Sequence, residues 1–309
     1  MAWKKLGMVF DLKQHNIGWL KSHAMLPTLL LLDNRIRVYF TGRDINGHSR
    51  ISFVDLKRED PSSIMYVHDR PLLEVGKLGT FDDSGTLGVF AIKNGSDVYL
   101  YYNGYNRRVL VPWSNAVGLA ISKDNGRTFE KMFEGPIFDR TAQEPYFTIT
   151  PCILRDNSLW HMWYTCGTGW IKVKDVPEPL YVIKYAYSED GFVWKRHNVT
   201  CIQPLSPEEA NARAAVLKDA DTYKMWFTYR GSQDFRDGAD SYRIGYAEAD
   251  DPVNWTRDDQ KAGIVCGPEE WDSKMQAYPA VVEVNGEKYL FYNGNGFGVD
   301  GFGCAIWEE

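Results

Sequence analysis

The sequence predicts an all-β protein, a five-bladed β-propeller with four antiparallel strands per blade, closed by its N-terminal strand. Three observations predict it: one unit recurs five times, every unit carries hairpin chemistry, and the two ends of the chain hold complementary fragments of a unit. The unit begins near Trp19, Phe81, Gln143, Ser206 and Trp271, with spacings of 62, 62, 63 and 65 residues. Five such units fill a chain of 309 residues, so a single domain over 1–309 is expected. A period this regular marks an array of identical supersecondary units.

The first half of each unit reads as two strands around a turn. The runs after Pro27, Val89, Pro151, Ala215 and Pro279 are rich in Val, Ile, Leu, Tyr, Trp and Phe and hinge on Asp-Asn, Asn-Gly or Asp-Ala. Such runs around such hinges are hairpin signals. The second half supplies a third strand, a turn and the aromatic that opens a fourth, as in 116–129 and 182–194. Four antiparallel strands per repeat make a propeller blade, and no helical periodicity competes. At the C-terminus the last unit stops after a third strand, 301–307, while 3–11 at the N-terminus aligns with the fourth strands after Phe129 and Trp194. Pairing the two removes both open edges.

Net charge is −6 and the pI is about 5.6, with charges mixed along the chain. That mixture predicts no nucleic-acid partner and no membrane partner. The N-terminus shows no secretory apolar stretch and the chain no run of eighteen apolar residues, so a cytoplasmic protein is expected. The cysteines (Cys152, Cys166, Cys201, Cys266, Cys304) lack a CxxC pair, which predicts buried reduced thiols. No metal site and no cofactor is predicted, and the oligomeric state stays open.

In a propeller, the loops entering the inner strands share one face with the loops joining second to third strands. Here these are 19–26, 81–88, 143–150, 206–213 and 271–278, then 41–48, 103–115, 165–180, 229–240 and 293–300. Function collects on such a face. Aligning the units separates recurring residues, which hold the blade, from those that break the pattern. Asp82 recurs as Asp272, so both read as loop structure. Polar residues at two registers before the inner strand, among them Thr150, Asn211, Arg213, Gln276 and Tyr278, are expected to face the channel. Unit-specific residues add His23, Arg43, Arg50, Tyr105, Arg107 and Trp170 as candidate substrate contacts. The candidate catalytic carboxylates are Asp44, Asp83, Glu144 and Glu209: Glu144 or Glu209 as acid, Asp83 or Asp44 as base or nucleophile.

The segments SEDGFVW (188–194) and SKDNGRTF (122–129), with the inner-strand pattern around Pro27, Pro151 and Pro279, resemble the five-bladed propeller glycoside hydrolases: the arabinanase and β-xylosidase, invertase and levansucrase, and mannoside phosphorylase types. The second segment also matches the sialidase Asp-box, a structural turn. The resemblance implies a glycosidase. It also implies an Asp directly before the first inner-strand Pro, where this chain has Leu26, and a Glu before the third, where it has Thr150. Arg213, with Arg43, Arg50 and Arg107, points to an anionic ligand, a small glycoside or nucleotide sugar. The alternative is a propeller that binds such a ligand without turning it over.

Overall fold

The computed structural model describes residues 2–156, 158–268 and 270–308. It is nearly all β. In chain order the strands are β1 (Ala2–Asp11), β2 (Ser22–Leu32), β3 (Arg35–Arg43), β4 (Ser49–Lys57), β5 (Ile64–Val67), β6 (Gly85–Asn94), β7 (Asp97–Arg107), β8 (Trp113–Ser122), β9 (Glu130–Lys131) and β10 (Thr148–Asp156). They continue as β11 (Leu159–Val173), β12 (Val176–Ser188), β13 (Lys195–Ile202), β14 (Ala210–Asp219), β15 (Thr222–Arg230), β16 (Arg243–Ala249), β17 (Thr256–Arg257), β18 (Ala277–Val284), β19 (Glu287–Asn293) and β20 (Gly301–Glu308).

Among the described residues, three sheets have four strands: β10–β13, β14–β17, and β1-β20-β19-β18. A fourth sheet joins β2–β5 to β6–β9, and among the described residues the two halves are strand-paired only at Ser49–Gly85. β1 pairs antiparallel with β20 from Ala2–Glu308 to Asp11–Gly301, so the first strand supplies the outer edge of the last sheet. Gly301 sits there at φ +145°, where a Cβ would lie 1.8 Å from the Phe10 carbonyl oxygen, so only glycine admits this close approach. The hairpin hinges behave as their residues require: Asn285 and Gly286 both take positive φ, +54° and +85°, the geometry of a type I′ turn.

Each inner strand (β2, β6, β10, β14, β18) packs against the next, and β18 returns to β2. Apolar clusters fill the seams between neighbouring sheets. Tyr39 and Phe53 meet Leu100, Tyr99 meets Trp160, and Trp163 meets Phe227. Trp226 meets Trp3 and Leu290, while Phe291 and Phe302 meet Phe40. Segment 122–126 forms the expected Asp-box turn and 188–191 forms a like turn, with Ser122 and Ser188 accepting from the Gly126 and Gly191 N–H groups. Each turn docks on the preceding sheet through a tyrosine: Tyr39 donates to the Gly126 carbonyl at 2.8 Å and Tyr101 to that of Gly191 at 2.6 Å.

The inner strands begin two to five residues before the positions the sequence marks as their openings. Each is then broken by a register shift near that position: Met25/Thr28, Gly88/Phe90, Ile149/Cys152, Ala212/Ala215 and Ala277/Ala280. Leu26, Thr150, Arg213 and Tyr278 take positive φ there, between +44° and +57°. Such backbone is costly for a residue with a side chain and persists where its surroundings over-determine it. Here the surroundings are a ring of hydrogen bonds from each bulge N–H to a side chain on the second strand of the sheet before it. Leu26 donates to Asn293 (2.8 Å), Gly88 to Thr41 (3.1 Å), Thr150 to Asn103 (3.2 Å), Arg213 to Thr165 (3.1 Å) and Tyr278 to Thr228 (3.0 Å).

Candidate functional site

The bulges turn side chains toward the axis around which the inner strands are arranged. Arg213 is buried and reaches from β14 to the far side, donating to the Pro27 carbonyl (2.8 Å), Thr28 Oγ1 (3.2 Å) and the Val89 carbonyl. Burial pushes its guanidinium down to about 10. The residue expected to meet an anionic ligand therefore crosses the channel, with two of its three hydrogen bonds on backbone oxygens. Thr150 is also buried and shares a 2.7 Å hydrogen bond with Thr165.

Above Arg213 the face gathers cations and phenols from different sheets. Arg43, exposed at the end of β3, acts electrostatically on His23 of β2, Tyr105 of β7 and Tyr278 of β18. Arg213 and Arg230 act on the Tyr278 phenol as well. Burial, then Arg43, lowers the His23 imidazole to about 4, against the opposing pull of Asp300. His23 is thus a neutral donor and acceptor near pH 7, with Nδ1 2.8 Å from Ser22 Oγ. Burial raises the Tyr105 phenol while Arg107 and Arg43 oppose it.

One arrangement on this face is not apparent from the sequence alone. Arg230 is 1% exposed, stacks over Phe235 at 3.9 Å, and donates to the hydroxyls of Tyr181 (2.9 Å) and Tyr242 (3.3 Å) and to the Pro179 carbonyl (2.6 Å). Tyr181 and Tyr242 are hydrogen-bonded to each other and stand 61 residues apart, one repeat. That recurrence is the available signal; it is hidden because tyrosines are common in every strand of this chain.

The four candidate carboxylates fall into two groups. Glu144 is 1% exposed and accepts from the Tyr164 hydroxyl at 2.9 Å, while Lys184 Nζ (3.0 Å) and Arg196 Nε (2.8 Å) form ion pairs with it. Glu209 pairs with Arg257 at 2.5 Å. Asp82 and Asp272 are held alike, by Lys131 (2.6 Å) with Tyr102 and by Lys5 (2.6 Å) with Tyr292. In all four sheets an acid on the entrance loop is paired with a base on the outer strand. Glu144 therefore shares the register of the residues read as loop structure, six positions before the bulge, and Glu209 makes the same kind of pair from four positions before it. The likeness is blurred in the sequence because Glu replaces Asp and Glu209 is offset by two.

Asp44 and Asp83 stand apart from that pattern. Asp44 accepts from the N–H groups of Asn46 and His48, both at 2.9 Å, and lies 3.7 Å from Arg50, whose other partners are Glu74 (2.8 Å) and the Leu73 carbonyl (3.1 Å). Asp83 accepts from Asn106 (2.7 Å), Ser84 (2.8 Å) and the Gly79 N–H (3.0 Å). Burial would raise its carboxyl, but these hydrogen bonds hold it below the usual range. The two loops are tied together where Arg107 donates to the Asn46 carbonyl at 3.3 Å.

The remaining expected contacts separate. Gln276 points away from the channel and donates to Asp272 (3.2 Å) and the Val265 carbonyl (2.9 Å); the register expected to face the channel turns instead to the entrance loop. The reason is the bulge, which breaks the alternation by two between this position and Tyr278. Asn211 is fully buried with both ends of its amide unpaired. Trp170 packs edge-on against Trp113 (5.0 Å) and Phe147 (5.8 Å). All five cysteines are unpaired, and four of them are buried. Among the described residues no cluster of three metal-ligating side chains occurs.

Solved structures superpose on nearly the whole chain. A glycoside hydrolase matches with a TM-score of 0.70 and 16% identity, covering 96% of this chain and 93% of that one. A thermostable family-43 glycoside hydrolase matches with 0.68 and 17%, covering 94% and 91%. The Bombyx mori GH32 beta-fructofuranosidase BmSUC1 matches with 0.59 and 12%, covering 93% and 61%. The fold is that of the propeller glycoside hydrolases. No protein-family model matches the sequence. Two proteins of Mycobacterium tuberculosis, Uncharacterized protein MT1551 (strain CDC 1551 / Oshkosh) and Uncharacterized protein Rv1502 (strain ATCC 25618 / H37Rv), are each 35% identical over 311 residues, covering 100% of both chains. The chain belongs to the family of these two proteins.

Proposed function

We propose that the four sheets, the large one counted as two halves (β2–β5 and β6–β9), are the five blades of one closed propeller, a single domain over 1–309, and that its rim is the active site of a glycosidase-like enzyme for a small anionic glycoside or nucleotide sugar. One observation carries the reading: Tyr181 of β12, Tyr242 just before β16 and Tyr278 of β18, from three different sheets, gather at one mouth, where Arg230 donates to Tyr181 and Tyr242 and the Tyr242 and Tyr278 rings lie 5.9 Å apart, while Arg43 acts electrostatically on Tyr278, His23 and Tyr105. Cations and phenols in that arrangement suit a carboxylate- or phosphate-bearing sugar, whose hydroxyls the phenols and imidazole can bond. Asp44 and Asp83 are the proposed catalytic pair, because they border the rim on loops joined by Arg107 and are not held by an outer-strand base. Glu144 and Glu209 are proposed to hold the blades.

A screen of aryl glycosides, aryl glycosiduronates and nucleotide sugars, with Asp44→Asn and Asp83→Asn beside the parent, tests this. Turnover of an anionic substrate should fall by about 100-fold or more in at least one variant. Unchanged turnover in both removes the pair. The second reading, binding without turnover, is favoured by the bulge ring itself: Leu26, Gly88, Thr150, Arg213 and Tyr278 hold no carboxylate. Calorimetric binding of a ligand that no condition turns over would select it.

A further inference from the structure

Two loop tips on the face that bears the rim carry chemistry that neither the blades nor the proposed site uses. The turn after β7 contains Arg108, Val109 and Leu110, with Val109 100% and Leu110 89% exposed. The β11–β12 hairpin ends in Ile171-Lys172-Val173-Lys174-Asp175-Val176, with Val176 half exposed. Trp113 and Trp170, 5.0 Å apart and both against Phe147, bring the two segments side by side. Beyond one register shift at Gly167/Gly169 the hairpin ladder runs unbroken from Gly169–Leu180 out to Val173–Val176, so its tip stands out as a finger. Ile45, 75% exposed, adds a third apolar tip on the loop that Arg107 binds.

The charge of these tips inverts that of the molecule. The chain has 35 basic and 41 acidic residues, yet segments 105–113 and 170–176 hold four bases against one acid, Asp175. Fully exposed aliphatics beside arginine and lysine, backed by a tryptophan pair, match what an anionic lipid surface takes up. Basic side chains meet headgroup phosphates, aliphatic tips enter the acyl boundary, and indoles sit at the interface. We propose that these tips dock the protein on the surface of an anionic lipid bilayer, independently of what the rim binds. Bulk composition hides this, because the four bases are diluted in an acidic chain.

Sedimentation of the full-length protein with phosphatidylcholine vesicles, with and without phosphatidylserine, tests the proposal. Binding is expected only with phosphatidylserine, and it should weaken as salt is raised. Val109→Ser/Leu110→Ser should abolish most of it with an unchanged melting curve, and Arg108→Glu and Lys172→Glu should each lower the partition coefficient roughly fivefold or more. No pelleting with either vesicle overturns the proposal. So does pelleting that survives both sets of variants, or equal binding to a soluble polyanion such as dextran sulfate that the Val109/Leu110 change leaves intact. A concentration-dependent dimer abolished by that change, with no vesicle binding, would assign the tips to a second copy instead.

Discussion

At the residue scale, the acids of this chain divide by what surrounds them. Glu144 sits between Lys184 and Arg196 with a tyrosine hydroxyl on it, so removing its charge leaves two cations unpaired in a mostly buried setting. Breaking a buried pair from one side costs about 3 kcal/mol or more. Glu144→Gln should lower unfolding stability by about that much in a urea titration. If it folds, it should keep the parent's substrate affinity. His23 predicts a pH dependence. Its folded value, about 4, lies below the ordinary 6.5, so between those values the unfolded chain binds the extra proton. Stability therefore rises with pH through that window and is lost as pH falls from about 6.5 toward 4. His23→Gln should flatten that part of the melting-temperature profile, and an unchanged slope would place its origin elsewhere. Asp83 works at lower pH: its depressed carboxyl contributes stability above the ordinary Asp range, lost as pH falls through its folded value.

At the element scale, the five bulges are the devices that make the mouth. Each inner strand would run straight on the alternation its sequence displays, yet each is broken where the neighbouring sheet offers an acceptor to one N–H. Asn293 is the best placed of these acceptors. It receives the Leu26 N–H and donates to the carbonyls of Ala24 and Gly301, all at 2.8 Å, so one amide joins β2, β19 and β20. Asn293→Ala leaves three buried backbone groups unpaired, and the expected loss is about 3 kcal/mol in chemical denaturation. A loss below about 1 kcal/mol would mean that water replaces the amide. The strands themselves were legible from alternating runs and turn residues. Their starts were not, because a bulge is set by a partner on another sheet that local sequence does not announce. That same blindness put Gln276 on the channel face and let Glu144 and Glu209 pass for free carboxylates.

At the scale of the whole molecule, β1 is the element on which the closed arrangement depends. It covers β20, brings Lys5 to Asp272, and sets Trp3 between Trp226 and Trp307 at centroid distances of 5.5 and 4.9 Å. Deleting residues 2–11 exposes the β20 edge, unpairs Asp272 and opens two apolar seams. The expected product is aggregated or unfolded, read by gel filtration and circular dichroism; a monomer with the parent's melting temperature would contradict the role given to β1. The repeat period, the hairpin hinges and the unmatched ends were all present in the sequence, because each arises from contacts a few residues apart or from the chain's own length. Which acids are bound by bases, that Arg213 crosses the channel, and that Arg230 gathers Tyr181 and Tyr242 beside Tyr278 were decided only by tertiary structure. Those relations join residues of different strands and loops, and one strongly repetitive sequence offers several near-equivalent partners for each side chain until the sheets are packed.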